Sequence, residues 1–236
     1  SNNNAQGEYY LTDIIAWGKA QHLNVNAYIL DNSDEIYGIN SRLNLAQAAK
    51  MMNKRNLEKY MENGVTIVDP DSTRISEDTE IGQDTIIYPF TYIEGENKIG
   101  KSCKIGPCAH LRGGVEVCDN VKVGNFVEVK KSKISSNTNV GHLSYIGDSE
   151  LGEHVNIGAG TITANYNPLT KEKSKTILKD NVKIGSNSVL VAPVTVEEGT
   201  NVGAGTIVTK DLPAWALAIT RSPLKILENW VKKTIK

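Results

Sequence analysis

A six-residue beat constrains this chain more than any other feature. Aliphatic residues stand at Ile75, Ile81, Ile87, Ile93, Ile99, Ile105, Leu111, Val117, Val123 and Val129, and again at Leu178, Ile184, Leu190, Val196, Val202 and Val208. Neither the 3.6-residue period of a helix nor the two-residue alternation of a strand produces that spacing. Glycine directly follows many of these positions (Gly82, Gly100, Gly106, Gly124, Gly185, Gly203), so the natural unit is a short strand with a tight corner. Such a unit cannot bury its one apolar side chain alone and must stack on its neighbours, which makes the chain mainly β and a parallel β-helix. A narrow stacked interior also suits a chain that is 39% hydrophobic but only 6% aromatic.

The beat predicts a β-helix from about Val65 to Val208, with about 21 repeats and, at three per coil, about seven coils. At roughly 4.8 Å per coil the prism would stand about 34 Å tall. Residues 1–40 do not follow the beat: Thr12 to Trp17 reads as a capped helix start and Val25 to Leu30 as a strand. Residues 41–64 read as a linker helix capped by Ser41, with Leu45, Ala48, Ala49, Met52 and Tyr60 near one face. The β-helical domain is expected over 65–212 and a C-terminal extension over 213–236, helical from Ser222 and basic at its end.

Composition removes several function classes. A formal net charge of -1 with 22% charged residues predicts neither a nucleic-acid binder nor a disordered chain. Cys103, Cys108 and Cys118 are odd in number and lack CxxC spacing, so they read as packed thiols. No apolar run has spanning length and no signal-like start is present, so a cytoplasmic protein without stable membrane insertion is expected. The opening Ser1-Asn2-Asn3-Asn4, without an initiator Met, reads as a processed or truncated chain.

The beat breaks in three places. Spacing shrinks to five between Val129 and Ile134 and between Ile146 and Leu151, and a polar segment from Asn165 to Lys175 intrudes before Leu178. Slips and loops on a rigid scaffold are where sites are built. Around them lie Arg112, Glu128, Lys130, His142, Tyr145, Asn156, Asn165 and Tyr166, and later Ser186, Ala204 and Arg221. An imidazole at a repeat corner, as at His142, is suited to taking a proton near neutral pH. Arg112 and Lys130 are 18 residues apart, one full coil, so their cations should stack on one face and could hold a phosphate or carboxylate. The alternatives are a surface histidine and a cationic ladder balanced by Glu128. A zinc trio of His110, His142 and His154 would lack any close pair.

At these residues the chain closely resembles a known family. Gly124-Asn-Phe-Val-Glu-Val-Lys-Lys131, Gly141-His-Leu-Ser-Tyr-Ile-Gly-Asp148, Val155-Asn-Ile-Gly-Ala-Gly-Thr-Ile-Thr-Ala-Asn-Tyr166, Leu190-Val-Ala-Pro-Val194 and Ala218-Ile-Thr-Arg221 are similar to motifs of a bifunctional bacterial hexapeptide-repeat transferase. That family acetylates glucosamine 1-phosphate and uridylylates the product. Ala5-Gln-Gly-Glu-Tyr-Tyr-Leu-Thr-Asp13 and Gly38-Ile-Asn-Ser-Arg-Leu43 resemble the tail of its nucleotidyltransferase domain.

The resemblance implies a left-handed β-helix, a homotrimer, and acetyl-CoA bound between neighbouring subunits. It implies His142 as general base, Arg112 and Lys130 on the sugar phosphate, and Tyr145 and Asn156 on the sugar. Ala159, Asn165, Tyr166, Ser186, Ala204 and Arg221 would line the acetyl-CoA groove, with Lys171 or Lys173 as the loop lysine near it, and Glu128 would steady the imidazolium. Asn40 corresponds to a residue that holds Mg2+ in the intact uridyltransferase domain. With that domain's glycine-rich start absent, uridylyl transfer by this chain is not expected.

Overall fold

The computed structural model describes residues 2–234. It divides into two compact units, the first ending at Ala48 and the second beginning at Ala49.

The first unit contains helix α1 (Asp13–Ala20), a 3-10 turn at Ser33–Ile36 and the start of helix α2 (Arg42–Glu62). Thr12 stands at the N-cap of α1 without a side-chain capping bond. The strand expected at Val25 to Leu30 is not formed. Among the described residues this unit holds no strand, and a lone apolar run without a ladder partner cannot satisfy its backbone as β-structure. Ser41 does cap α2, its Oγ accepting from the Asn44 N–H at 3.1 Å.

In the second unit the end of α2 packs on the first coil. Leu57 and Tyr60 are the buried residues of the helix, whereas Leu45 and Met52, expected on the apolar face, are exposed. The Tyr60 hydroxyl donates to the Ser76 and Thr79 carbonyls at 2.9 and 2.7 Å, and Asn53 Nδ2 donates to the Thr73 carbonyl at 2.9 Å. These bonds choose the face. A helix laid over the first rungs also covers backbone that would otherwise present an open edge.

Beyond α2 the chain is a parallel β-solenoid of the left-handed β-helix type, with about eight turns. Nine strands form the first sheet, eight the second and seven the third, and every neighbour in a sheet comes from an adjacent turn. The first sheet includes Lys122–Asn125, Asn139–His142 and Asn156–Ile157; the second includes Tyr92–Glu94, His110–Arg112, Glu128–Lys130 and Tyr145–Gly147; the third includes Val115–Val117, Lys133–Ile134 and Ser149–Leu151. The turn count exceeds the seven expected. One further strand, Leu217–Ala218, lies past Pro213 where the hexad spacing stops, and it continues the first sheet by pairing with Asn201–Val202. Its side chains are not fully buried, so backbone pairing extends the solenoid without the apolar beat.

The beat residues make the core. Ile87, Ile93, Ile105, Leu111, Val123, Val129, Ile134, Val140 and Ile146 are entirely inside. Thr85, Thr91, Thr161 and Ser188 are buried at the corners. Thr85 Oγ1 donates to the Gly100 carbonyl at 2.8 Å and Ser188 Oγ to that of Gly185 at 2.7 Å, so at these two corners a small hydroxyl satisfies backbone where the strand bends, whereas the Thr91 hydroxyl is buried without a partner.

Candidate functional site

All three breaks in the beat fall on one edge of the prism, where the second sheet passes to the third. A regular turn there uses Gly113 and Gly114, at φ 35° and 73°. In the next two turns the corner is one residue shorter, with Lys131 at φ 46° and Asp148 at φ 47°. In the turn after that, the chain leaves as a hairpin between Ile162–Ala164 and Thr176–Leu178. The hairpin closes through Ser174 N–H to Asn165 O and Asn167 N–H to Glu172 O, both 3.0 Å, and Tyr166 bridges to Lys173.

This edge gathers charge. Glu94, Arg112, Lys130 and Gly147 stand in register on successive rungs of the second sheet, and Tyr92, His110, Glu128 and Tyr145 stand two residues earlier. The spacing argument that stacked Arg112 on Lys130 is met by this register. Arg112 Nη1 lies 2.9 Å from Glu128 Oε1 and its Nε lies 3.5 Å from Glu94 Oε1. The Glu128 carboxylate, expected at the imidazole of His142, is thus bonded to Arg112. The hydrogen bond that Arg112 donates to Glu128 raises the guanidinium above its ordinary range. Lys130 is pushed the other way, first by Lys173 of the hairpin and then by Arg112, with Asp148 opposing. A cation held down by neighbouring cations marks a place where an anion would be welcome.

The third sheet is built differently. Glu80, Lys98, Glu116, Lys133 and Glu150 alternate in sign along its outer ladder. Lys133 pairs with Glu116 at 2.7 Å and Lys175 with Glu150 at 2.5 Å. Its charges are spent on each other, whereas the second sheet stacks Lys130 directly on Arg112.

Two further groups belong to the charged edge. The Tyr145 phenol lies across Gly147, where any Cβ would collide with its oxygen, so the missing side chain lets the ring lie along its own strand over the residue that pairs with Lys130. Asn165 is buried and its Nδ2 donates to Asp148 Oδ2. Arg112, Lys130, Tyr145, Asn165 and Tyr166 therefore share one edge and its hairpin. Lys173 of the hairpin acts electrostatically on Lys130, and the choice between it and Lys171 as the lysine near acetyl-CoA stays open. Glu94 was missed by sequence reasoning, although its 18-residue spacing from Arg112 could have found it.

Four of the remaining candidates, His142, Ala159, Ser186 and Ala204, line the edge between the first and second sheets. Asn139 pairs with Asn156, Asn156 with Lys183, and Lys183 with Asn201, so His142, Ala159, Ser186 and Ala204 follow as one column. Gly160 N–H to His142 O at 3.3 Å, Asn187 N–H to Ala159 O at 2.7 Å and Gly205 N–H to Ser186 O at 2.8 Å carry that stack. His142, Ser186 and Ala204 are exposed. Just before the column, a Cβ on Gly124 would strike the Gly141 carbonyl, so the close approach of these rungs requires glycine. Asn156 Oδ1 accepts from Asn139 Nδ2 at 3.3 Å. Arg221 is exposed beyond the last strand. Beside His142 runs a second column, Phe90, Cys108, Phe126 and Leu143, in which Phe90, Phe126 and Leu143 are 67%, 59% and 60% exposed.

Asn40 lies in the first unit, its N–H donating to Asn44 Oδ1 at 3.3 Å. Among the described residues no three His, Cys, Asp or Glu side chains are grouped to hold a metal ion. A single amide without carboxylates does not fit Mg2+, and no step is assigned to that ion. His110, His142 and His154 lie on three separate parts of the prism. Among the described residues no helix is long and apolar enough to cross a membrane.

A family model described as bacterial transferase hexapeptide (six repeats) matches residues 98–131 and 175–210, on either side of the hairpin. Over 99% of its length the chain is 42% identical to a protein of Shouchella clausii named bifunctional protein GlmU, and 45% identical to the protein of that name in Heliobacterium modesticaldum. In both cases it spans 58% of the relative's own length. The first alignment runs over 267 positions, more than the 236 residues here, so that relative carries residues within the matched region that have no counterpart in this chain. Among solved structures, an Arabidopsis UDP-N-acetylglucosamine acyltransferase superposes with a TM-score of 0.51 over 66% of this chain and 65% of its own, at 16% identity, a likeness of fold.

Proposed function

This chain belongs to the bacterial hexapeptide transferases, among the relatives of the bifunctional GlmU proteins, and on that premise we propose that it moves the acetyl group of acetyl-CoA to the amine of glucosamine 1-phosphate. The observation that carries the reading is the charged edge, where Lys130 is stacked on Arg112 and its ammonium is pushed down by the charges of Lys173 and Arg112. A sugar phosphate fits those three cations, Arg112 offering a planar fork and the lysines point charges. Tyr145 and Asn156 present a phenol and an amide to the hydroxyls of the ring.

An ammonium has no lone pair with which to attack a thioester, so the amine must lose its proton. His142 accepts it, and the neutral nitrogen attacks the acetyl carbonyl carbon. Coenzyme A leaves as a thiolate and no covalent enzyme intermediate forms. The shallow column Ala159, Ser186 and Ala204, with Arg221, offers small side chains along which the pantetheine arm can lie, and Asn165 and Tyr166 approach from the hairpin.

Within one chain His142 ends a first-sheet strand at the edge with the second sheet, whereas Arg112 and Lys130 end second-sheet strands at the edge with the third. A trimer that brings the first edge of one subunit against the charged edge of the next completes the set. The exposed Phe90, Phe126 and Leu143 beside His142 suit such a contact. Nothing proposed here requires a metal ion, and uridylyl transfer is not assigned to these residues.

The test is release of coenzyme A thiol from acetyl-CoA with glucosamine 1-phosphate as acceptor. Turnover supports the reading, and its absence from a folded assembly overturns it. Mixing inactive His142→Ala and Lys130→Ala subunits tests the shared site. Partial recovery of turnover is expected, and no recovery after confirmed mixing removes the trimeric arrangement.

A further inference from the structure

We propose that Glu94 and His110 are positioning residues for Arg112, and that a proton on His110 draws Glu94 away and frees the guanidinium for the sugar phosphate. This deepens the function proposed above and rests on it for the identity of the anion. Glu94 and Arg112 face each other on adjacent rungs, as do Tyr92, His110 and Glu128. One oxygen, Glu94 Oε1, lies 3.5 Å from Arg112 Nε and 3.3 Å from His110 Nε2, so guanidinium and imidazole share it. His110 Nε2 is sealed from solvent and makes no hydrogen bond, its line to the carboxylate being poor at that distance. The ring is held in place by stacking on Tyr92, with centroids 5.2 Å apart and planes at 14°.

The physics follows from the count of charges. Tyr92 and Glu94 face His110 from the preceding rung, Arg112 from its own strand, and Glu128 and Lys130 from the rung that follows. Arg112 is contacted by two carboxylates, so with both in place an incoming phosphate competes against more negative charge than the guanidinium carries. A neutral imidazole leaves Glu94 to Arg112. A protonated one offers Glu94 a charge-assisted N–H bond and gives its own buried nitrogen the partner it lacks. Arg112 Nε can then turn to the phosphate. By linkage the phosphate favours the protonated ring to the same extent that the protonated ring favours the phosphate. Binding is therefore tighter with the ring protonated than with it neutral.

The experiment is calorimetric titration of glucosamine 1-phosphate into the full chain without acetyl-CoA, from pH 5.5 to 8.5. Two buffers of different ionisation enthalpy at each pH give the protons taken up. The phosphate group titrates in the same range, so the wild type is read against His110→Gln and Glu94→Gln. Over that range the wild type should lose roughly 3- to 10-fold more affinity than His110→Gln, and take up more protons on binding. Glu94→Gln should bind about 3-fold tighter than wild type at pH 8.5 and lose the extra uptake. Identical pH profiles and uptake in wild type and His110→Gln overturn the inference, as does weaker binding by a folded Glu94→Gln. If the wild type neither binds nor acetylates the sugar phosphate, the proposed function fails. The same titration with inorganic phosphate then tests the brace by the same comparison.

Discussion

The corner that leaves the third sheet and the corner that leaves the first are turned by residues in the same left-handed conformation. The former uses Asp84, Ser102, Asn120, Asn137, His154 and Asn181, at φ between 55° and 63°, and departs from polar residues only in its last two turns, at Gly199 and Trp215 with φ 67° and 59°. The latter uses Phe90, Cys108, Phe126 and Leu143, at φ between 51° and 60°, as far as the turn of His142, and Gly160, Asn187 and Gly205, at φ 76°, 57° and 72°, beyond it. Asn and Asp adopt that conformation cheaply because their short polar side chains bond locally, whereas for other L-residues it costs roughly 1–2 kcal/mol. The polar corner is what the backbone asks for. The apolar corner is kept against that preference, and on one chain it leaves two phenylalanines and a leucine facing water. Strain joined to exposed apolar surface points to a demand from outside the chain, which the proposed neighbouring subunit supplies.

The comparison can be broken most severely at the histidine each corner carries. His142→Ala should lower kcat by about 10²-fold or more in the thiol-release assay, while His154→Ala should stay within about 2-fold. Equal losses would remove the functional distinction between the corners. Phe126→Asn keeps a residue suited to the left-handed turn but removes the ring. Light scattering should report dissociation, and turnover should fall about 10-fold or more, without loss of protomer stability. An unchanged assembly would show that the apolar corner has another purpose.

Lys130→Ala should raise KM for the sugar phosphate about 10-fold and leave that for acetyl-CoA unchanged. Lys133→Ala, on the charge-paired third sheet of the same turn, should alter neither. Asn120→Phe, which writes the apolar choice into the polar corner, should cost about 1 kcal/mol in denaturant titration without changing assembly.

The smallest effect concerns Glu150. Its carboxyl is held below the usual carboxylate range by the bond from Lys175. The folded state therefore binds that proton less readily than the unfolded chain. The stability this lends is present above the ordinary glutamate range and is lost as pH falls through the lowered folded value. Wild type should lose a small part of its urea midpoint on acidification that Glu150→Gln does not lose. Because both groups are largely solvated, a large difference would mean that this ladder is less like ordinary surface than its geometry implies.

Much of the second unit was legible because its period is a local property. One aliphatic every six residues dictates the coil, and 18 residues dictate the rung, so Arg112 over Lys130 could be read before any coordinates. The run at Val25 to Leu30 misled because a strand is defined by its partner, and none lies beside it among the described residues. The face of α2 misled because bonds from Tyr60 and Asn53 to distant carbonyls, and not the helical periodicity, decide what is buried. That Lys173 acts on Lys130 could not be read until the hairpin closed.

By itself the sequence determined the β-helix, the stacking of its cations and the turns in which the rhythm fails, since each follows from spacing along a chain of fixed pitch. Only the tertiary structure decided that all three failures share one edge, that Glu94 and Glu128 both reach Arg112, and that His142 stands on the other edge. Those relations join residues through the lateral register of three sheets and the lengths of the corners between them. A corner one residue shorter rotates nothing in the core, yet it changes which side chains meet outside it.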